Sequence, residues 1–475
     1  MELPAEIRSL IEGLERRIET LEARVAELER ENAALRAENA DLKRRLGLDS
    51  STSSRPPSSD GLRKKPASLR EPSGKTSGGQ PGHKGDTLKR VADPDRIVLH
   101  EARACRHCGA GLRLSMAREM ETRQVFDLPE KLIEVTEHRR FVYACAGCGG
   151  RTGAAFPEGV EAPAQYGERL RAAAVYLHLQ QLIPEDRTAE TLADLIGVPS
   201  ICPASVMDWV RRKASALAPV AGRIGALIAA ARVRCLDETG FRVAGKTQWL
   251  HTIATESLTL YRVSDKRGAV PSDLAGGVVV HDGFKSYGAL AGAAHALCNA
   301  HHLREFRALI EFDKEPWAAP MRDLLLDANR AVGDAKARDE RALEATLLQR
   351  FDTRFWETLR EGLAFHRKLP RLPQAATGKP RRRPGENLLR RLHQFKDDVL
   401  RFLVDFDVPF TNNLAEQALR MMKVKMKISG AFRTFDAAQR FATLRSVIAT
   451  ARKQGWNILQ TLTRDAPSLI NALPA

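Results

Sequence analysis

The sequence predicts a multidomain α/β protein, and three observations carry that expectation. Residues 7–46 hold a heptad repeat, four cysteines fall in two Cys-x-x-Cys-Gly pairs, and residues 233–282 alternate as a β-meander whose strands deliver carboxylates. At 475 residues the chain is too long for one ordinary core, so two to four modules are expected. A hydrophobic content of 43% suffices for globular cores, and a formal net charge of +16 points to a polyanionic partner, nucleic acid first. A generic basic protein carries the same charge. The longest apolar stretch, 214–231, is broken by Pro219 and Arg223, and the N-terminus lacks the basic and apolar regions of a secretory signal. No membrane partner and a cytoplasmic location are therefore expected.

Residues 1–49 read as a coiled coil. Ile7, Leu14, Leu21, Leu28, Leu35 and Leu42 occupy one core position, and Ile11, Ile18, Val25, Asn32, Asn39 and Leu46 the other. Leucine at d with β-branched residues at a favours a parallel two-stranded coil, and the asparagines at a fix register, so self-association is expected. Residues 50–95 collapse into Ser, Pro, Gly and Lys, including Pro56-Pro57, Lys64-Lys65 and the phrase from Gly78 to Gly85. Such a segment cannot bury enough apolar surface to fold alone, and reads as a linker or as a basic arm along phosphates.

Residues 96–158 contain Cys105-x-x-Cys108-Gly109 and Cys145-x-x-Cys148-Gly149. Four thiolates suit one structural Zn²⁺ in tetrahedral coordination, and each glycine permits the tight turn behind the metal. A redox pair or two disulfides are the alternatives. The run Leu132 to Tyr143 reads as a strand of this ribbon. Residues 159–231 read as helical, with a helix-turn-helix rhythm over 188–213 that would turn Ser205, Arg211, Arg212 and Lys213 toward DNA. A plain helical pair joining the neighbouring modules is the competing reading.

The core, residues 232–465, begins with a short buried strand that ends in Asp237 and turns at Gly240. Strands over 248–254 and 258–263 complete a meander. The run Gly277 to His281 delivers Asp282 at a second strand end, and Glu416 opens a helix-like segment. Two acids on strand ends and one on a helix can converge on a pair of divalent metals, the arrangement of phosphoryl-transfer sites. Each acid also has a plain reading: Asp237 and Asp282 as turn formers, Glu416 as part of a capping box with Asn413. From Glu416, Arg420, Lys423 and Lys427 follow on one helical face as a cationic stripe for a phosphate backbone, and Arg381, Arg382 and Arg383 form a basic loop. Cys298 and His301 have half-site metal spacing and are read, with Asn412 and Asn413, as support beside the acids.

The words around these residues resemble the insertion sequence 66 family of DDE transposases. They are Leu236-Asp237-Glu238-Thr239, Trp249-Leu250-His251, Ser264 to Gly268, Asp282-Gly283-Phe284-Lys285-Ser286-Tyr287, Cys298 to Arg304, and Asn412 to Arg420, all in order. Family members often have arginine where this chain has Gln417. The resemblance implies an RNase H-like catalytic core with a helical insertion at about 305–400, followed by a short tail, 466–475. It implies a transposase in which Asp237, Asp282 and Glu416 hold two Mg²⁺ (or Mn²⁺) ions for DNA cleavage and strand transfer. It also implies element ends and target DNA as partners, bound through terminal inverted repeats, and small accessory proteins of the same element. A dimeric zinc-containing DNA-binding regulator with an inert core, and a structure-specific nuclease of the same fold, are the rival expectations.

Overall fold

Strand β3, Val233–Val243, buries Cys235 and Leu236 in succession, as a strand covered on both faces does, and then alternates with Phe241 and Val243 buried. It hairpins into β4, Lys246–Ala254, which hairpins into β5, Thr259–Ser264. β6, Val278–His281, and β7, Ala294–Leu297, then add in parallel on the other side, giving the order β5-β4-β3-β6-β7. The computed structural model describes residues 5–49, 52, 88–129, 131–198, 201–269, 272–274, 276–290, 292–370, 372 and 382–474. Most of the segment 50–95, and Arg381, lie outside them.

Two differences from the sequence reading concern β3. The strand does not end at Asp237, and Gly240 does not turn it: Gly240 lies within the ladder opposite Trp249. The turn comes at Ala244 and Gly245, with φ of 46° and 78°, joining Val243 to its partner Lys246. A two-residue hairpin with both central residues at positive φ matches the right-handed twist of its strands, so the ladder runs on to that point. The parallel pairing of β3 with β6, in contrast, ends at Cys235↔Val280.

The chain divides into two compact units, Met1–Leu69 with Ala164–Ala189 and Ile201–Ala475, and Arg70–Pro163 with Glu190–Ser200. In the first, α1, Ala5–Gly47, is one continuous helix whose Leu14, Ile18, Leu21, Val25, Leu28, Leu35 and Leu42 are exposed. Helices α2, Glu168–Leu179, α3, Glu185–Ile196 (which runs into the second unit), and α4, Pro203–Ala230, precede the sheet. By length and composition α4 could cross a membrane. It packs instead against α2 and the later helix α11, Phe435–Lys453, and buries Val210, Leu217, Ile224 and Ile228.

Both sheet edges are covered. Along β5, the backbone N–H groups of Thr259 and Tyr261 donate to the hydroxyls of Thr450 (3.1 Å) and Ser446 (2.9 Å) on α11. These bonds satisfy edge groups that would otherwise invite another strand. After β7 the chain enters α5, Asn299–Ala308, then α6, Ala318–Ala337, α7, Ala345–Lys368, α8, Pro384–Gln394, and α9, Lys396–Val404. These helices bury Trp317, Leu324, Phe355, Leu388 and Leu389 in one cluster, and α9 lies on β7, where Arg401 Nε donates to the His295 carbonyl. Helix α10, Asn413–Ile428, then returns to β3 and β4. After α11, α12, Ile458–Thr463, leads to the terminal segment, which is a helix rather than a tail: α13, Ala466–Ala472, capped by Asp465, which accepts the Ser468 N–H, with Leu469 buried.

The second unit holds β1, Val142–Ala144, paired antiparallel with β2, Arg151–Gly153. The longer strand expected over 132–143 forms only at its end, because a strand needs a ladder partner and β2 offers three residues. Val135 and Phe141 are exposed.

Alanine at a positive φ costs about 1 kcal/mol that asparagine largely avoids in an Asn-Gly turn. Ala244→Asn should therefore raise the stability of the core by about 0.5–1 kcal/mol. A denaturant titration reads this as a higher midpoint, and a lowered midpoint would contradict the hairpin geometry.

Candidate active site

Register places the two aspartates level. Cys235 pairs with Val280, and Val280 with Ala296. Two residues further along each strand stand Asp237, Asp282 and Cys298, at the C-terminal ends of the parallel pairings and on one face by the period of two. The carboxyl ends of parallel strands are where α/β sheets present ligands. Asp237 Oδ1 accepts the Glu238 N–H at 2.9 Å, and Asp282 Oδ1 accepts the Phe284 N–H at 2.8 Å. Gly283, between them at φ 88°, lets the chain turn sharply after β6.

Glu416 arrives on the first turn of α10. The capping-box alternative is not what forms: Asn412 is the N-cap residue, and its side chain makes no capping bond. Instead the buried Asn412 amide donates to the Leu236 carbonyl at 2.6 Å, one residue before Asp237, and its backbone N–H donates to Cys298 Sγ at 3.1 Å. The Cys298 N–H in turn donates to the His281 carbonyl at 2.8 Å, one residue before Asp282. Glu416 points to the Cys298 thiol (3.7 Å) and to His301 Nε2 (3.5 Å). The hydrogen bond from His301 holds the Glu416 carboxyl below its ordinary range. Asp237 goes the other way, pushed up to about 8 first by burial, then by the charges of Asp282 and Glu238, with Glu416 adding a smaller share. Asn413 is exposed on the first helical turn.

Several residues around the acids escaped the sequence reading. The buried Glu238 carboxylate accepts the Tyr287 hydroxyl and pairs with Arg267 at 2.9 Å. The Arg267 guanidinium lies 4.1 Å from the Phe284 ring centroid and 5.2 Å from that of Trp249. These contacts clamp the Asp282 loop against β3 and β4. His281, held near 4 by burial and by His295, is neutral; its Nδ1 accepts the Gly283 N–H at 3.0 Å while Nε2 faces His295 Nδ1 at 3.1 Å. A usable signal was present: a glutamate inside an apolar strand requires partners, because an unpaired buried carboxylate is costly.

The remaining candidates are dispersed. Arg420, Lys423 and Lys427 are exposed along α10 beyond Glu416. Arg211 and Arg212 on α4 share Asp208, and Lys213 pairs with Glu168 at 2.5 Å, so these three cations already face two carboxylates within the fold. Ser205 lies on the first turns of the same helix. Arg383 precedes α8 and donates to the Pro370 carbonyl, and Arg382 lies 3.7 Å from Glu386. Each cysteine pair forms its own knuckle: the Gly109 N–H returns to the Cys105 carbonyl (2.9 Å) and the Gly149 N–H to that of Cys145 (2.8 Å). Hydrogen bonds from the backbone of His107, then of Cys108, lower the Cys105 thiol, and those from Cys148 and Gly147 lower Cys145. Among the described residues, the set of three such ligands with atoms within 4.8 Å of one another is Cys298, His301 and Glu416.

A family profile described as "Transposase IS66 family" matches residues 163–440, more than half of the chain. A second, "zinc-finger binding domain of transposase IS66", matches residues 102–149, and a third, "Family of unknown function (DUF6444)", residues 1–89. No curated protein matches the chain.

Because the folded value of Asp237 lies above its unfolded value of 3.8, this group favours the fold fully below about pH 4. That contribution is lost as pH climbs to about 8. Without added divalent ions, Asp237→Asn should melt above the wild type at pH 8, by on the order of a few kcal/mol, and level with it near pH 4. Parallel pH profiles of the two proteins would contradict the raised Asp237 carboxyl.

Proposed function

The chain belongs to the IS66 family of transposases, enzymes that cleave DNA and transfer strands, and from that premise we propose that Asp237, Asp282 and Glu416 are its catalytic carboxylates. The observation that carries the reading is the register that sets Asp237 beside Asp282, with Glu416 brought to them on α10. The sheet order, with three antiparallel strands and then two parallel ones, supports an RNase H-like core whose third acid follows the helical insertion.

The donor set is all carboxylate oxygen, hard ligands that suit Mg²⁺ or Mn²⁺. Asp237 is raised by burial first and by neighbouring negative charge second, and a divalent cation would offset both. Two such ions, when bound, would activate the attacking water or DNA 3′-OH and stabilise the leaving oxygen. Around them, the Glu238–Arg267–Tyr287 clamp holds the Asp282 loop, and Asn412 sets the level of α10 against β3. Arg420, Lys423 and Lys427 line a path for the phosphate backbone leading away from Glu416.

The four knuckle cysteines, with the Cys105 and Cys145 thiols lowered by backbone donors, suit one structural Zn²⁺. End recognition falls to this zinc module and the helical region, which read the terminal inverted repeats. The exposed apolar stripe of α1 supports pairing of two copies as a coiled coil, which would bring two element ends together. Accessory proteins of the element complete the assembly, on DNA in the cytoplasm.

Asp237→Ala, Asp282→Ala and Glu416→Ala should each reduce Mg²⁺-dependent cleavage of end DNA to background while binding of that DNA persists in a gel-shift assay. Glu416→Gln keeps the size of the side chain and removes its charge; an active Glu416→Gln protein would refute the metal role. Cys108→Ser should lose one zinc per chain by elemental analysis, together with end binding. A zinc-free Cys108→Ser protein that binds ends fully would detach recognition from the zinc module.

A further inference from the structure

Beside the carboxylate pair stands a donor set of different chemistry. Cys298 offers sulfur, His301 an imidazole nitrogen and Glu416 a carboxylate oxygen, all within 4.8 Å of one another. Cys298 Sγ is 3.7 Å from Glu416 Oε1, and His301 Nε2 is 3.5 Å from the same oxygen. A tetrahedral ion bonded at about 2.3 Å to sulfur and about 2.0–2.1 Å to nitrogen and oxygen separates those ligands by about 3.5 Å and about 3.3 Å. Both distances to Glu416 Oε1 therefore already lie close to what such an ion needs.

The scaffold beneath them is rigid. Cys298 is the N-cap of α5, and His301 lies on its first turn, with its N–H donating to the Cys298 carbonyl at 3.2 Å. The thiol sulfur accepts the Asn412 N–H, so the helices that carry the ligands are fixed to each other through one of them. Mixed sulfur, nitrogen and oxygen donors select a borderline-soft ion such as Zn²⁺, whereas Asp237 and Asp282 offer only hard oxygen. Three protein ligands leave a fourth position open, the mark of an exchangeable site and not of a closed structural one.

We propose that Cys298, His301 and Glu416 form a second zinc site, and that zinc bound there inhibits the transposase by engaging Glu416. The inhibition rests on the catalytic reading of Glu416; the site itself does not. Binding releases one proton, from the Cys298 thiol to solvent, as the sulfur–metal bond forms, and nothing is oxidised.

The test uses the full chain dialysed against micromolar Zn²⁺, with bound zinc counted by elemental analysis. Wild type is expected to hold one more equivalent than Cys298→Ser or His301→Ala, the four-cysteine module being common to all three. Cys298 is buried and its variant is the more prone to misfold, whereas His301 is partly exposed. The His301→Ala protein, checked by circular dichroism, therefore keeps the comparison decisive. In Mg²⁺-dependent cleavage of end DNA, the same zinc concentration should slow wild type about tenfold or more and leave the His301→Ala rate, relative to its own zinc-free rate, unchanged. Equal zinc content in all three proteins overturns the proposal, as does an extra zinc that leaves wild-type cleavage untouched. Glu416→Gln separates the two readings. Cleavage that survives in it removes Glu416 from catalysis, and with it the inhibition, whatever the zinc count. Cleavage that is lost while the extra zinc stays bound leaves the catalytic reading standing and overturns the shared ligand.

Discussion

The proposed active centre depends on the placement of one buried amide. The Asn412 side chain donates to the Leu236 carbonyl, and its backbone N–H donates to Cys298 Sγ, so a single residue ties α10 to β3 and to the end of β7. Cys298 passes the connection on to β6 through the His281 carbonyl. Each acid is thus one or a few covalent bonds from a hydrogen bond that converges on Asn412. Buried polar groups joined this way specify one arrangement more sharply than apolar packing does, because any slip leaves donors and acceptors unpaired in a dry environment.

The surrounding sheet serves that arrangement by being closed at both edges. Hydroxyls from α11 answer the backbone of β5, and helix α9 lies along β7. With no edge free, the strand order is settled, and the level of Asp237 against Asp282 follows from register alone. The Glu238 clamp adds a side-chain layer to the same end: Arg267 lies over Phe284 and Trp249 while pairing with a carboxylate that has no access to solvent.

Much of this was legible in the sequence. The meander, the strand leading to Asp282 and the helix carrying Glu416 follow from short-range periodicity and from glycines placed after apolar runs, whereas the helices between residues 305 and 400 were expected from the family resemblance. What failed was what depends on partners. Gly240 is a stronger turn signal than Ala244, yet the turn falls where β4 ceases to pair, and the run 132–143 is strand-like but has a partner only at its end. The matching of Arg211, Arg212 and Lys213 by Asp208 and Glu168 was likewise invisible, since it depends on helix faces and, for Lys213, on a neighbouring helix. Glu238 sits next to Asp237 and therefore on the opposite face of the strand. That it needs partners is legible from the apolar strand around it; that those partners are Tyr287 and Arg267 is not.

The bonds made by Asn412 span 176 and 114 positions of the chain. Closing loops of that length is slow and carries a large entropic penalty before any contact repays it, so these contacts form after the local hairpins and helices. During synthesis the heptads, the zinc module and both aspartates leave the ribosome long before Asn412 does. The order of emergence therefore separates attachment from cutting: a growing or prematurely ended chain has the parts assigned to grip DNA while its third acid is missing. On the proposed assignment the cutting centre is assembled last, which makes the chain safe to translate beside the chromosome.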